Sequence, residues 1–291
     1  MASLDEMLLS ERLRQEQPLY SASTRTAIEQ NLALAREELA TSQTDFSSLR
    51  AFCLFIGYSR SGHSLIGSLL DAHRNIAIAH ELDALEYIRS GCTAHELFTL
   101  LFRNSVGFSE AGRQWGEYRY AVADGWQGRV DPLLVIGDKK GRNSTALLAQ
   151  HPGLLDKLKR TVGLPVRCIH VVRNPYDMIA TTSRKNFKPI NAVAHAVASR
   201  YETNKRLIES LGAECVLTLW HEDTIADPAR TLKLLASFLG VAADMEWIEA
   251  CARIVSPVPH ESRHDVSWPE AVLDYVDNLT RKFDFLGRYS R

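Results

Sequence analysis

The sequence predicts an α/β fold: a mainly parallel central sheet flanked by helices, preceded by an N-terminal helical extension. Three observations predict it. Short apolar runs of strand character alternate with stretches of helical period across residues 51–239. A glycine-bounded loop, Gly57-Tyr58-Ser59-Arg60-Ser61-Gly62-His63-Ser64, follows the first apolar run and opens the first helical stretch. Polar and charged residues then collect after successive strand candidates, at the carboxyl ends where open parallel sheets bind ligands.

Taken in order, residues 1–50 read as the helical extension and residues 51–291 as the main domain. Ser23 and Thr24 cap a helix whose Ile28, Leu32, Ala35 and Leu39 share one face. That helix packs on the domain in the first reading and forms a homodimer or partner contact in the second. Strand Ala51 to Gly57 and helix Ser64 to Ala72 come next, then strand Ile76 to Ala79 and a helical stretch through Glu86. A long insertion, Glu86 to Trp126, carries Phe98, Phe102, Phe108, Trp115, Tyr118 and Tyr120. An aromatic acceptor pocket fits there, although core packing is the commoner fate of such residues. Further strands are predicted at Leu133 to Ile136, Val166 to Val172 and Glu214 to Trp220. Helices are predicted at Ser144 to Lys159, Tyr176 to Arg184, Asn191 to Leu211 and Ala229 to Leu239, with a last helical region after the polar run Glu261-Ser262-Arg263-His264.

Composition excludes some functions. With 291 residues, 45% apolar and 24% charged, the chain can bury a sizeable core. A net charge of −1 gives no global attraction to nucleic acid or to an acidic membrane surface, so neither is expected as a partner. The five cysteines lack metal-binding spacing and three lie in apolar strand-like runs, which fits buried thiols in a reducing compartment and no metal site. Met1 to Gln17 has no continuous apolar core, and no run approaches the roughly eighteen apolar residues of a membrane span. A cytoplasmic protein is the expectation.

The loop after the first strand has the makings of an anion cradle. Glycines at both ends let the backbone turn so that loop amides and the following helix N-terminus point at one anion. The Gly-x4-Gly spacing fits a nucleotide P-loop, but His63 stands where the lysine for the β- and γ-phosphates is required. The one strong cation, Arg60, lies inside the loop. A smaller phosphate suits it better than a nucleoside triphosphate.

Several segments together resemble the sulfotransferases that use 3′-phosphoadenosine-5′-phosphosulfate (PAPS). Ser59-Arg60-Ser61-Gly62-His63-Ser64-Leu65 is similar to the family's phosphosulfate loop, with serine in place of its proline and histidine in place of its first threonine. Leu69-Leu70-Asp71-Ala72-His73-Arg74-Asn75 resembles the run that follows it. Val171-Val172-Arg173-Asn174-Pro175 with Thr181 resembles the 3′-phosphate motif, and His221 to Pro228 with Phe238-Leu239-Gly240 resembles a later strand exit and helix. The matches span about Phe52 to Gly240.

The resemblance implies a sulfotransferase fold, PAPS as cofactor with adenosine 3′,5′-bisphosphate (PAP) as product, and in-line transfer of a sulfuryl group to a hydroxyl. It implies that Ser59, Arg60, Ser61, Gly62, His63, Ser64 and Leu65 form the 5′ site, that Arg173 and Thr181 hold the 3′-phosphate, and that Ser262 and Arg263 cover the cofactor. Ala79-His80-Glu81, with Glu81 twenty-one positions after Arg60, resembles the glutamate segment of tyrosylprotein sulfotransferases. Glu81 is thereby the candidate base and His80 its rival. Gly137-Asp138-Lys139 resembles the segment whose lysine stands beside the transferring group, with Lys140 as the alternative. The expected acceptor is a small molecule, a peptide tyrosine second. Two other classes stay open: a P-loop kinase or NTPase, which lacks its lysine here, and a non-catalytic PAP- or PAPS-binding protein.

Overall fold

The structure, a computed structural model, describes residues 25–41, 45–212 and 214–291; the expected helix caps Ser23 and Thr24 lie outside them. Helix α1 (Arg25–Thr41) precedes β1 (Ala51–Gly57), α2 (His63–Asp71) and β2 (Ile76–His80). Then follow α3 (Ala84–Ser90), α4 (Ala94–Glu110) and a small hairpin, β3 (Gln114–Trp115) with β4 (Tyr118–Arg119). The main sheet resumes with β5 (Val135–Lys139), α5 (Gly141–Gln150), α6 (Leu154–Val162), β6 (Val166–Val172), α7 (Pro175–Lys185), α8 (Ile190–Leu211) and β7 (Val216–Trp220). Helices α9 (His221–Ala226), α10 (Pro228–Leu239), α11 (Met245–Ala252) and α12 (Glu270–Lys282) complete the chain, with a short 3₁₀ turn at Ser262–Asp265.

Five strands form one parallel sheet in the order β2-β5-β1-β6-β7. Every residue of β1 is buried because helices cover both sheet faces, so the strand reads as a continuous apolar run. Its alternation still sorts the two cores. Phe52, Leu54 and Ile56 join Leu85, Leu100, Leu147 and Leu158 on one side, while Cys53 and Phe55 join Leu69, Leu235 and Trp247 on the other. A third cluster around Tyr58, Tyr176, Tyr201 and Phe283 packs α7, α8 and α12 against the sheet edge of the loop after β1.

Helix α1 belongs to the first core. Its Ile28, Leu32 and Ala35 are buried, and Arg36 pairs with Glu96 at 2.5 Å while Asn31 donates to the Tyr87 hydroxyl at 2.6 Å. The apolar stripe seen in the sequence therefore packs on this same chain.

Several predicted boundaries move, each for a physical reason. The strand expected at Leu133 to Ile136 runs from Val135 to Lys139, so Gly137, Asp138 and Lys139 lie inside the sheet and not after it. Gly137 permits this: a Cβ there would stand 2.1 Å from the Cys53 carbonyl oxygen on the neighbouring strand. The helix expected at Ser144 to Lys159 is two helices, broken at Pro152-Gly153, where Gly153 takes φ +86°. Within the aromatic insertion, α4 is fixed by a capping box in which Thr93 and Glu96 satisfy each other's backbone amides. Among the described residues no helix is long and apolar enough to cross a membrane.

Candidate functional site

Because the five strands are parallel, the carboxyl ends of β1, β2, β5, β6 and β7 lie along one edge of the sheet. At the end of β1 the loop turns through left-handed backbone at Arg60 (φ 65°) and Gly62 (φ 93°). It is braced from within: Gly57 N–H donates to Thr145 Oγ1 at 2.9 Å and Ser61 Oγ donates to the Tyr58 carbonyl at 3.0 Å. His63 Nδ1 lies 3.1 Å from Ser61 Oγ. Ser61 and His63 are thus committed partly to loop shape. Ser59, Gly62, Ser64 and Leu65 remain partly accessible at the start of α2. The Arg60 guanidinium makes no hydrogen bond or ion pair among the described residues, which leaves a strong cation available at the mouth of the loop.

Glu81 sits just past β2, two residues before the Asp83 N-cap of α3, with φ 62°. It is not a helix-end carboxylate. Its Oε1 is 2.5 Å from Lys139 Nζ, its Oε2 3.1 Å from Lys140 Nζ, and Oε1 lies 3.7 Å from His63 Nε2. Lys139 is reached because β2 and β5 pair in a register that sets His80 beside Lys139. The ammonium also donates to Ser64 Oγ at 3.0 Å and lies 3.4 Å from His80 Nε2. Both lysines therefore face the same carboxylate, one from each side. Asp138 supports the arrangement from below, accepting from the amides of Leu82 at 3.1 Å and Ala84 at 2.8 Å and so fixing the loop that carries Glu81.

These contacts decide the protonation states. Burial alone would raise the Glu81 carboxyl, but Lys139, the His63 hydrogen bond and Lys140 outweigh it and hold the group well below the usual carboxylate range. Burial pushes Lys139 down, with Glu81 opposing. Burial first, then Lys139, keeps His80 well below its ordinary value. Burial likewise lowers His63. At neutral pH Glu81 is therefore a carboxylate, Lys140 an ammonium, and His63 and His80 neutral imidazoles, while burial pushes Asp138 beneath them up to about 7. His80 is stacked at 4.0 Å on Phe108 and sits beneath the site, while Glu81 reaches its edge.

On the other flank, Arg173 follows β6. It donates to the Arg60 carbonyl at 3.3 Å and to the His260 carbonyl, tying the loop after β1 to the chain before the 3₁₀ turn. Thr181 on α7 donates to Ser262 Oγ at 2.7 Å, and His260 Nδ1 lies 2.8 Å from the same oxygen. Arg173, Thr181 and Ser262 thus converge. Arg263 does something else: its guanidinium pairs with Asp177 at 2.7 Å and Glu261 at 2.9 Å, and its amide donates to Asp177. It fastens the 3₁₀ turn onto α7.

Two residues read in the sequence take more specific places here. Asp138, expected only as part of the segment that carries Lys139, fixes the loop of Glu81. Trp115, expected among the aromatic residues of the insertion, stands 5.6 Å from Lys139 Nζ and 4.6 Å from the His80 ring. The hairpin is held by a buried pair between Arg113 and Asp71 at 2.6 Å, and Phe98 and Phe108 are core residues. No group of His, Cys, Asp and Glu able to hold a metal occurs among the described residues.

A parallel α/β sheet thus carries a glycine-bounded loop at its centre and a lysine-clamped glutamate beside that loop. No protein-family model and no curated protein matches the chain. Solved structures do match. The sulfotransferase domain from the curacin biosynthetic pathway is 16% identical, with a TM-score of 0.51 over 80% of this chain and 99% of that one. The sulfotransferase domain from the Synechococcus PCC 7002 olefin synthase is 19% identical over 79% of this chain and 85% of that one, TM-score 0.44. Mouse sulfotransferase SULT7A1 complexed with PAP is 14% identical over 86% and 90%, TM-score 0.43. The curacin-pathway likeness establishes that this chain has the sulfotransferase fold.

Proposed function

We propose that this chain is a PAPS-dependent sulfotransferase that transfers a sulfuryl group to a hydroxyl of a small-molecule acceptor, with Glu81 as general base. The observation that carries the reading is the Glu81 carboxylate between Lys139 and Lys140, at 2.5 and 3.1 Å, beside the glycine loop. The residues present fit an adenosine bisphosphate group. Arg60 is an unengaged cation on a left-handed loop, and Arg173, tied to that loop, stands with Thr181 and Ser262 on its other flank.

PAPS, when bound, supplies a sulfuryl group activated by its phosphate leaving group. In this reading Arg60 and the amides at the start of α2 hold the 5′-phosphate. Arg173, Thr181 and Ser262 hold the 3′-phosphate, and Arg263 braces their loop through Asp177. Glu81 accepts the acceptor's hydroxyl proton at a carboxylate oxygen, and Lys139 supplies positive charge where negative charge develops. Glu81 is chosen over His80 because the imidazole is enclosed by Phe108, Trp115 and Lys139. Trp115 and Tyr120 near the cationic residues support an acceptor with an apolar body. The five free thiols support a reducing, cytoplasmic setting.

Thermal-shift measurements test the assignment. PAP stabilises the protein specifically, and AMP and magnesium–ATP do so weakly; stabilisation by magnesium–ATP alone overturns it in favour of a nucleotide kinase. A panel of hydroxyl acceptors with labelled PAPS then separates turnover from binding alone.

A further inference from the structure

Gly57 closes β1 and opens the glycine loop, and no strand carbonyl meets its amide. β5 ends at Lys139, and the next carbonyl, that of Lys140, is turned into α5, where it accepts from the Asn143 amide at 2.9 Å. A side chain stands in. Gly57 N–H donates to Thr145 Oγ1 on α5 at 2.9 Å, and the Thr145 hydroxyl donates to Asn204 Oδ1 on α8 at 2.8 Å. The direction of this relay is fixed: the amide can only donate, so the hydroxyl oxygen accepts from it and the hydroxyl proton goes to Asn204. Thr145 is 1% exposed and Asn204 0%. Asn204 Nδ2 is buried without a hydrogen bond among the described residues. An apolar side chain at position 204 would avoid that cost, but it would leave the Thr145 hydroxyl without its acceptor. From Gly57 the hold passes along the loop. Tyr58 is fixed between His170, whose Nε2 lies 3.0 Å from its hydroxyl, and the Tyr201 ring at 4.7 Å, and its carbonyl accepts from Ser61 Oγ at 3.0 Å.

We propose that Thr145 and Asn204 are positioning residues of the 5′-phosphate site: through the Gly57 amide they set where the glycine loop leaves the sheet, and so where Arg60 and the amides at the start of α2 stand. The inference rests on the PAP-binding reading above. Neither side chain touches the ligand. A Gly57 amide that loses Thr145 regains a partner only by moving toward water, and the loop moves with it, because Ser61 is hooked to the very next residue. The 3′-phosphate group of Arg173, Thr181 and Ser262 is carried by β6, α7 and the 3₁₀ turn, and stays where it is.

The test uses the full chain with two ligands, PAP and adenosine 3′-phosphate, which lacks the 5′-phosphate. Thr145→Val keeps the shape of the side chain and removes both hydrogen bonds; by calorimetry on folded protein it weakens PAP about 5- to 30-fold. Adenosine 3′-phosphate stays within about twofold of wild type, as a site remote from the substitution does. Thr145→Ser keeps the hydroxyl and returns PAP to within about threefold. Asn204→Leu gives the valine pattern. PAP affinity unchanged in Thr145→Val, or both ligands weakened equally, overturns the positioning role and leaves the relay a plain core contact; wild type that binds no PAP overturns the cofactor reading and this inference with it. Hydrogen exchange of the Gly57 amide in the free wild type, which needs no variant to fold, is as slow as that of the Phe55 amide within β1. Exchange at the rate of an open loop amide overturns the proposal.

Discussion

Replacing Glu81 by glutamine separates chemistry from structure. The amide keeps the size of the carboxylate and can still accept from one lysine, but it cannot take a proton at neutral pH and it removes the counter-charge of two ammonium groups at 2.5 and 3.1 Å. If Glu81 is the base, the single-turnover rate at saturating PAPS and acceptor falls about 10²- to 10⁴-fold, equivalent to roughly 3–5 kcal/mol of barrier. Stability changes too. Lys139 is only 1% exposed and loses its ionic partner, which costs up to about 3 kcal/mol, at the lower edge of a broken buried pair because the glutamine oxygen remains. PAP affinity is unchanged or tighter, since a negative charge leaves an anion site. The pH dependence has a definite sign. Folding holds the Glu81 carboxyl below its ordinary 4.5, so its ion pairs stabilise the fold fully above about pH 4.5 and that stabilisation is lost as the pH falls through the lower folded value. The stability difference between wild type and variant, from urea unfolding, accordingly shrinks as the pH falls below about 4. A rate loss under about fivefold, with the stability loss intact, refutes the base assignment and leaves Glu81 a structural counter-ion.

Other outcomes follow from the same geometry. Arg173→Ala weakens PAP by about 1.5–3 kcal/mol and adenosine 5′-phosphosulfate much less; equal weakening by calorimetry removes Arg173 from the 3′ site. Arg113→Met leaves the Asp71 carboxylate buried beside Ser105 and without its cation, and lowers urea-unfolding stability by about 3–5 kcal/mol; a loss under about 1 kcal/mol shows the pair to be dispensable. Gly62→Ala forces a side chain into φ 93° and against His221, costing about 1–3 kcal/mol; unchanged melting together with unchanged PAP affinity contradicts the packing described here.

The parallel sheet was legible because strands covered on both faces leave uninterrupted apolar runs, as Ala51–Gly57 and Val166–Val172 do. Where the rule failed, a local signal was outvoted. β5 continues through Gly137, Asp138 and Lys139, which a hydropathy reading ends at the glycine, because their partners come from elsewhere in the chain: the Cys53 backbone, the Leu82 and Ala84 amides, and Glu81. The helix break at Pro152-Gly153 and the Thr93-x-x-Glu96 capping box were both written in the sequence and lost beneath periodicity. In the site, the loop and Arg173 were readable because each follows its strand directly. The Thr181–Ser262 contact spans eighty-one positions and follows from no local pattern. Arg263 shows the opposite: its type suited a phosphate, but Asp177 and Glu261 hold it.

Three local irregularities around Lys139 are better understood as one device. A lysine at the end of a buried strand needs a path for its stem, and Gly67 supplies it: a Cβ there would lie 2.8 Å from Lys139 Cγ. It needs a counter-charge, and Glu81 supplies that only by taking φ 62°, a left-handed conformation that costs a residue other than glycine about 1–3 kcal/mol. Asp138 then holds the strained loop by two backbone amides. A fold selected for stability alone would place an apolar side chain at position 139 and relax position 81. Strain, a buried lysine and a small residue that admits it concentrate at the edge of the glycine loop, where, in the proposed function, a prepositioned carboxylate and cation would stabilise charge as it develops.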